Sequence, residues 1–406
     1  MIRRILVLAT VIGSIGIGLV AGGRLALSEL GERAWERRKQ ELSALAHFPP
    51  KERRPWEIRF SALQTVALSS PRFAELAGSS HRAPVVWGSV EPRPFDDLER
   101  LWVESLWSEL AGLDSILTEL RTLPLDELEW PGDPPRISVL RELVNALCAR
   151  AWLAVEHGDA EAAVLSYGDA LRLARATDDS TQIGTVICMS CEGIVLRSLR
   201  SALDLGLSPA AARAGVAPLL EDWAYDAERA AHTIRRELAS VGRFPDAAPD
   251  LQETHDLLAW AKPVEAALAL AREPVTSTPW ARRDAAKNVK RTQVDHDWEM
   301  WVVGIEQLHA RHALRNVALS ALAVASFRER HGTWPETLAA IEDLSAPHAL
   351  DTLTGAPLPY SAAENGARIG PASWGKDDIP DADGSLFVWN LSPSSAPAPR
   401  TSDASD

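Results

Sequence analysis

The first residues of the chain contain a long run without a charged side chain, from Ile5 to Gly23, which follows Arg3 and Arg4. An α-helix rises about 1.5 Å per residue, so this run spans roughly 28 Å, close to the thickness of the hydrocarbon core of a bilayer. A buried cytoplasmic helix explains the run less well, because charges flank it and it opens the chain. The run predicts a membrane helix within residues 1–23.

A cleaved signal peptide is the alternative for this segment, since the small residues Ala21, Gly22 and Gly23 suit a cleavage site. The length of the run favours a retained anchor. Counted by Lys and Arg alone, the stretch after the run is the more basic side, which favours an outward N-terminus, yet long domains translocate largely regardless of charge. We expect a single-pass protein of the bacterial inner membrane, with its main body on the periplasmic side.

The charge balance and the cysteine content exclude two classes of protein. There are 56 acidic and 42 basic residues, and the net charge of −14 argues against nucleic acid, which requires a concentrated basic face. Three cysteines are too few, and odd in number, for a disulfide-stapled scaffold. The expected partners are the membrane, through residues 5–23, and proteins of the cell envelope.

Apolar residues beyond the anchor recur at three- and four-residue steps, which is typical of amphipathic helices. The segment from Phe95 predicts one helix with an apolar face of Leu98, Leu101, Trp102, Leu106, Leu110, Leu113 and Leu117. A helix is predicted at about 137–157, and a second one follows Gly158-Asp159 and ends at about 176. Further helices are predicted at about 180–205, 209–240, 251–272 and 298–330.

The helix pair around Gly158 resembles a tetratricopeptide hairpin. Gly158, Ala163, Tyr167 and Ala170 match the small–aromatic–small pattern of that repeat, in which small residues let two antiparallel helices approach closely. Leu147, Ala151 and Ala154 fill the preceding helix. No second copy occurs at the 34-residue period, and a solenoid needs about three stacked repeats. We therefore expect a single hairpin within an irregular helical array.

The composition changes after His331-Gly332, where Pro, Gly and Asp become frequent. Asn365-Gly366 predicts a tight hairpin turn, and residues 385–391 predict another strand. The predicted fold class is therefore mainly α, with a small C-terminal α+β module that contains a short antiparallel hairpin. The predicted regions are an anchor (1–23), a helical stalk and linker (24–94), the helical array (95–297), a long helix with the α+β module (298–391) and a disordered tail (392–406).

Three motifs in this module resemble the C-terminal part of type II secretion pseudopilins: R-x-x-H-G-x-W-P-x-T-L (328–338), DTLTGAPLPY (351–360) and SWGKDDIPDADGS (373–385). They are closer still to uncharacterised exported helical proteins of bacteria. Two features depart from the pattern: the apolar run has no Glu, and Thr352 replaces the usual Pro. The resemblance therefore implies the fold of the module and not assembly into a pilus.

The acidic loop of major pseudopilins binds calcium, so the resemblance implies calcium as the cofactor here. The matching residues are Asp377, Asp378, Asp381 and Asp383, and Gly384 permits a sharp turn. Calcium takes six to eight oxygen ligands, which loop carboxylates supply. The alternative is a solvated acidic loop, because Asp and Gly are common turn residues.

The remaining chemical candidates lack the surroundings that their chemistry requires. Cys188 and Cys191 have C-x-x-C spacing but lie in a helical pattern, where they are expected to be buried apolar residues. Glu306 and His309 have the spacing of a di-iron ligand pair, but the chain has no second such pair. Glu104 precedes Ser105 as in lytic transglycosylases, without the other cleft motif.

These observations favour a membrane-anchored interaction or scaffold protein of the cell envelope, connected with secretion through the pseudopilin-like module, rather than an enzyme. The alternative is an envelope enzyme, such as a glycan hydrolase centred on Glu104 or a metal-dependent hydrolase centred on the His309 region.

Overall fold

The computed structural model describes residues 33, 37, 40, 55–78, 94–123, 137–176, 182–221, 295–351, 356–370 and 388–392. Its fold is mainly helical with a small antiparallel sheet, as the sequence predicts. The helices are α1 (Pro55–Ser69), α2 (Pro71–Gly78), α3 (Asp97–Glu109), α4 (Leu113–Arg121), α5 (Ile137–Glu156), α6 (Ala160–Ala176), α7 (Gln182–Asp204), α8 (Pro209–Glu221) and α9 (Asp295–His331). The strands are β1 (Tyr360–Ala363), β2 (Gly366–Ile369) and β3 (Trp389–Leu391).

The single helix predicted from Phe95 is two helices, so that prediction is wrong. A capping box at Asp96 and Glu99 begins α3, with the Glu99 amide 2.8 Å from Asp96 Oδ1. The chain turns before Gly112, the N-cap of α4, and a Cβ there would lie 3.3 Å from a methyl group of Val66 on α1.

Within α3, the residues that face the core also differ from the predicted apolar face. Leu98 is 79% exposed and Leu101 is 59% exposed, whereas the rest of the predicted apolar face is buried or partly buried. Val103 is fully buried in α3. The buried face of α3 itself is formed by Glu99, Val103 and Leu106, so the prediction was wrong for Leu98 and Leu101 because it placed the apolar face on the wrong side of this helix.

The α5–α6 pair forms an antiparallel hairpin around Gly158, which adopts a left-handed φ of 75°. The Asp159 amide donates to the Ala154 carbonyl at 2.8 Å and ends α5, and the Asp159 carboxylate accepts from the Ala162 amide at 2.9 Å and begins α6. Ala151, Ala163 and Ala170 are fully buried. The predicted close approach at small residues is present, while the tetratricopeptide relationship stays a prediction.

Helix α7 closes this hairpin. The indole of Trp152 on α5 and the hydroxyl of Tyr167 on α6 both donate to the Ser198 carbonyl on α7, each at 3.1 Å. Tyr167 is fully buried and Trp152 is 6% exposed, so two large aromatic residues satisfy their polar atoms inside the core. These contacts connect three helices through one backbone oxygen.

The longest described helix, α9, contains 37 residues and is therefore about 55 Å long. It packs against α7 and α8 and also against the C-terminal module. Near its end, Glu329 accepts from the Ala210 amide and the Ser208 hydroxyl, both at 2.8 Å, and so caps α8. The observed bounds, Asp295–His331, lie within three residues of the predicted 298–330.

The C-terminal strands form one sheet in the order β1-β2-β3, with both neighbouring pairs antiparallel. The predicted hairpin is confirmed. Because Ala363 pairs with Gly366, the two turn residues are Glu364 and Asn365, one position before the predicted Asn365-Gly366. A Cβ on Gly366 would lie 2.5 Å from the Leu391 carbonyl, which explains why glycine is required there. Trp389 is 1% exposed and lies in the common core.

Several predictions concern segments outside the described residues: the membrane helix at 5–23, the helix at 251–272, the acidic loop and the tail. Within the described residues, the structure contains no helix whose length and hydrophobicity would let it span a bilayer.

Candidate functional site

A cluster of three buried charged residues joins α7 to α9. The exposed fractions of the side chains are 3% for Glu192, 3% for Arg311 and 5% for Arg315. Arg311 donates to Glu192 through Nε at 2.8 Å and Nη2 at 3.0 Å, and Arg315 donates through its own Nη2 to Glu192 Oε1. We call these three residues the charge cluster.

The charge cluster carries one carboxylate and two guanidinium groups. Burial alone opposes ionisation of Glu192, but Arg311 and Arg315 outweigh it and lower the pKa of that carboxyl group below its usual value. Burial lowers the pKa of Arg315 to about 10, although the Glu192 carboxylate favours its charged form. All three groups are therefore charged at neutral pH, and the cluster has an excess of one positive charge.

Two of the three cysteines, Cys188 and Cys191, lie on the same helix as Glu192 and are buried, as their helical pattern predicts. Cys188 and Cys191 are fully buried on α7, and Cys188 contacts the Arg311 guanidinium through its sulfur. Burial raises the pKa of Cys191 and of Cys148 to about 12. These two thiols remain protonated at neutral pH and are poor nucleophiles.

A second polar stripe on α9 faces the segment that leads into the sheet. His312, Asn316 and Ser320 follow one another at four-residue spacing, which places them on one face of the helix. Asn316 donates to the Pro347 carbonyl at 3.0 Å and to the Leu350 carbonyl at 2.9 Å. Ser320 donates to the His348 carbonyl at 3.0 Å. We call this stripe the docking seam.

The R-x-x-H-G-x-W-P motif occupies the other end of the same helix and has a structural role. The Arg328 guanidinium lies over the Trp334 ring, 4.4 Å from its centroid. Gly332 adopts a φ of 74° just after the helix ends. Tyr360 on β1 donates to the Pro335 carbonyl at 2.8 Å. These contacts connect the helix end, the turn and the first strand.

The candidate residues of the enzyme alternative lie on two helices, α3 and α9. Glu104 lies exposed on α3. Glu306 and His309 lie on α9 where the structure describes the helix and not the side chains.

The predicted calcium ligands Asp377, Asp378, Asp381 and Asp383 lie outside the described residues, so calcium binding stays a prediction. Within the described ranges, no group of three or more His, Cys, Asp and Glu side chains is arranged to hold a metal ion.

The sequence analysis did not identify the charge cluster or the docking seam. Two signals were present: a single carboxylate, Glu192, within an apolar helical stretch, and two arginines four residues apart, Arg311 and Arg315, in another. Neither signal identifies its partner, because Glu192 and Arg311 are 119 residues apart in the chain.

Comparison of the chain with protein-family models, with curated proteins and with solved structures found no match. The chemical argument therefore rests on the chain's own geometry. The buried polar groups of α9 contact two other parts of the structure. Arg311 and Arg315 contact Glu192 on α7, and Asn316 and Ser320 contact backbone carbonyls within residues 347–350. This arrangement fixes α9 between the helical body and the C-terminal module.

Proposed function

We propose that this protein is a non-catalytic scaffold of the bacterial cell envelope, which anchors in the inner membrane through residues 5–23 and presents its pseudopilin-like C-terminal module to protein partners. The observation that carries the proposal is the two-sided fixation of α9. The charge cluster connects this helix to α7, and the docking seam connects it to the module.

Helix α9 is about 55 Å long and makes buried polar contacts with both the helical body and the C-terminal module. Such a helix suits a scaffold that holds the module in a fixed position better than it suits an active site. The charged side chains of the cluster are at most 5% exposed, so a substrate has no access to them. Burial similarly makes the thiols of Cys148 and Cys191 unreactive. The charge cluster therefore serves the connection between α7 and α9.

The test is proximity labelling in intact cells, with a labelling enzyme fused after residue 406 of the full chain. The control fusion carries the same enzyme directly after residue 50, so it keeps the predicted anchor and lacks the body. The proposal predicts a reproducible set of envelope proteins labelled by the full chain and not by the control, in the membrane fraction. Equal labelling by both fusions, or recovery of the full chain away from the membrane, would contradict it.

The enzyme alternative is tested with the same strains. Replacement of Glu104 by Gln is expected to leave the set of labelled proteins unchanged. It is also expected to complement whatever phenotype deletion of the gene produces. Loss of complementation with unchanged labelling would favour a catalytic role for Glu104.

A further inference from the structure

Helix α3 carries an apolar stripe on the side that faces solvent. Among the described residues, four large apolar side chains are exposed, and two of them lie one turn apart on this helix: Leu98 is 79% exposed and Leu101 is 59% exposed. The partly buried Trp102 extends the stripe, because it lies four residues after Leu98. Single exposed leucines are common on protein surfaces, but two neighbouring ones beside a tryptophan form a patch. We call these three residues the α3 stripe.

The stripe is exposed although α3 itself is firmly packed. Leu106, on the opposite side of the helix, is fully buried. The Trp107 indole donates to the Ala146 carbonyl on α5 at 3.2 Å, and Arg100 Nη2 donates to Glu156, the last residue of α5, at 3.1 Å. Because the helix is held in place, a ligand can bind the stripe without ordering it first, which lowers the cost of association.

Carboxylates border the stripe on one side. At 3.6 residues per turn, Asp97 and Glu104 lie on the flank opposite Trp102. The Asp97 side chain is 94% exposed, and Glu104 is exposed as well. The nearby guanidinium of Arg100 is already paired with Asp97 and with Glu156. The surface beside the stripe therefore has more negative than positive charge.

We infer that the α3 stripe is a docking surface for an amphipathic helix of a partner protein, in which Lys or Arg residues lie beside the apolar face. The apolar face of that helix covers Leu98, Leu101 and Trp102, and its basic residues pair with Asp97 and Glu104. This inference goes beyond the proposed function, because it concerns α3 rather than the C-terminal module and does not depend on the membrane anchor.

A second copy of this chain suits the stripe less well than a basic helix. If two α3 helices pack antiparallel about a two-fold axis, the same flank of each helix lies on the same side of the contact. Asp97 and Glu104 of one copy would then face those of the other, and like charges repel.

The experiment selects binders from a phage-displayed library of helical peptides, with the full-length protein in lipid nanodiscs so that no free detergent covers the stripe. Peptides with apolar residues at three- and four-residue steps and flanking Lys or Arg are expected to be enriched. The tightest selected peptide is then the probe for fluorescence anisotropy. Leu98→Gln with Leu101→Gln is expected to weaken its binding at least roughly ten-fold, because burial of one leucine contributes about that factor. The matched control is Leu165→Gln, at an exposed leucine on α6, which is expected to bind as the wild type does.

The contribution of charge is measured with a second variant. Asp97→Asn with Glu104→Lys is expected to weaken binding of the basic peptide roughly ten-fold at low salt and less at high salt, because salt screens exposed charges. Glu104→Gln alone removes one carboxylate and keeps the leucines, so it is expected to weaken binding only about two-fold.

Both leucines are exposed, and Gln has nearly the same helix propensity as Leu, so the double variant is expected to fold, as circular dichroism will show. If it does not fold, the charge variant decides the question. The inference is overturned if the selection enriches no peptide, if the enriched peptides lack basic residues, or if their binding is unchanged in these variants. A dimer in sedimentation that Leu98→Gln with Leu101→Gln abolishes would assign the stripe to a second copy and also overturn it. Because purified protein is used, each of these failures is separate from a failure of the proposed function in cells.

Discussion

Replacement of Glu192 by Gln tests the charge cluster most sharply. Gln has nearly the same shape as Glu and keeps one acceptor oxygen, but it removes the only negative charge of the cluster. Glu192 accepts three hydrogen bonds from Arg311 and Arg315, and both arginines remain buried after the change. The substitution therefore leaves two positive charges in the protein interior without their carboxylate.

The expected magnitude follows from the burial of all three side chains. A hydrogen bond to a charged group contributes roughly 1.5–3 kcal/mol, but the carboxylate's own burial cost is relieved when the charge is removed. Breaking a buried ion pair by removing one partner costs about 3–5 kcal/mol, and we expect Glu192→Gln to fall in this range. The control is Asp114→Asn, whose side chain is 52% exposed and pairs with Arg150; it is expected to cost at most about 1 kcal/mol.

The assay is urea unfolding of the full-length protein in mild detergent, followed by far-ultraviolet circular dichroism. A third variant, Glu192→Leu with Arg311→Met and Arg315→Met, replaces the whole cluster by apolar residues. It is expected to be about as stable as the wild type, because no charge of the cluster is left buried. If Glu192→Gln and Asp114→Asn shift the unfolding midpoint equally, Glu192 is not the buried counter-ion of Arg311 and Arg315, and the charge cluster does not stabilise the fold.

Three further predictions concern the core and the sheet. Cys148 and Cys191 are expected to resist iodoacetamide at pH 8 in the folded protein and to react in urea, since burial raises the pKa of both thiols to about 12. Mass spectrometry of the alkylated protein measures this, and rapid labelling without urea would contradict it. Gly366→Ala is expected to destabilise the hairpin by roughly 1–3 kcal/mol, because the new Cβ would lie 2.5 Å from the Leu391 carbonyl. Hydrogen-exchange rates of the amides in 360–369 measure the loss. The control is Gly158→Ala, whose Cβ would meet no atom within 4 Å and which therefore shows the effect of a left-handed φ without a clash. Asp169→Asn is expected to cost about 1 kcal/mol in urea unfolding. The Asp169 side chain is 2% exposed and accepts from Arg121 Nε at 2.7 Å, but the burial that raises the pKa of this carboxyl group opposes its charge, so removal of the charge offsets part of the loss. An unchanged midpoint would show that this pair makes no net contribution.

Features that depend on neighbouring residues were predictable from the sequence. The bounds of α9 follow from its apolar periodicity, and the hairpin follows from Asn365-Gly366 because few residue pairs suit so tight a turn. The hairpin at Gly158 follows from its ability to adopt a left-handed φ.

Features that depend on distant residues were not predictable. The break before Gly112 is set by contact with Val66 on α1, a helix that the sequence analysis did not identify. The partners of Glu192 lie more than 100 residues away, and helical periodicity gives a residue's face but not what covers it. The docking seam was not predictable either, because Asn316 and Ser320 donate to backbone carbonyls, which every residue type has.

Helix α9 fixes the C-terminal module to the helical body through its contacts with α7, α8 and residues 347–350. The most direct test is a distance measurement by double electron–electron resonance at pH 7, between spin labels at Glu161→Cys on α6 and Arg368→Cys on β2. Both positions are exposed, and the three native cysteines are buried. One narrow distance distribution is expected, because α9 holds both elements in place. A broad or two-peaked distribution would contradict it, since the module would then move independently of the body.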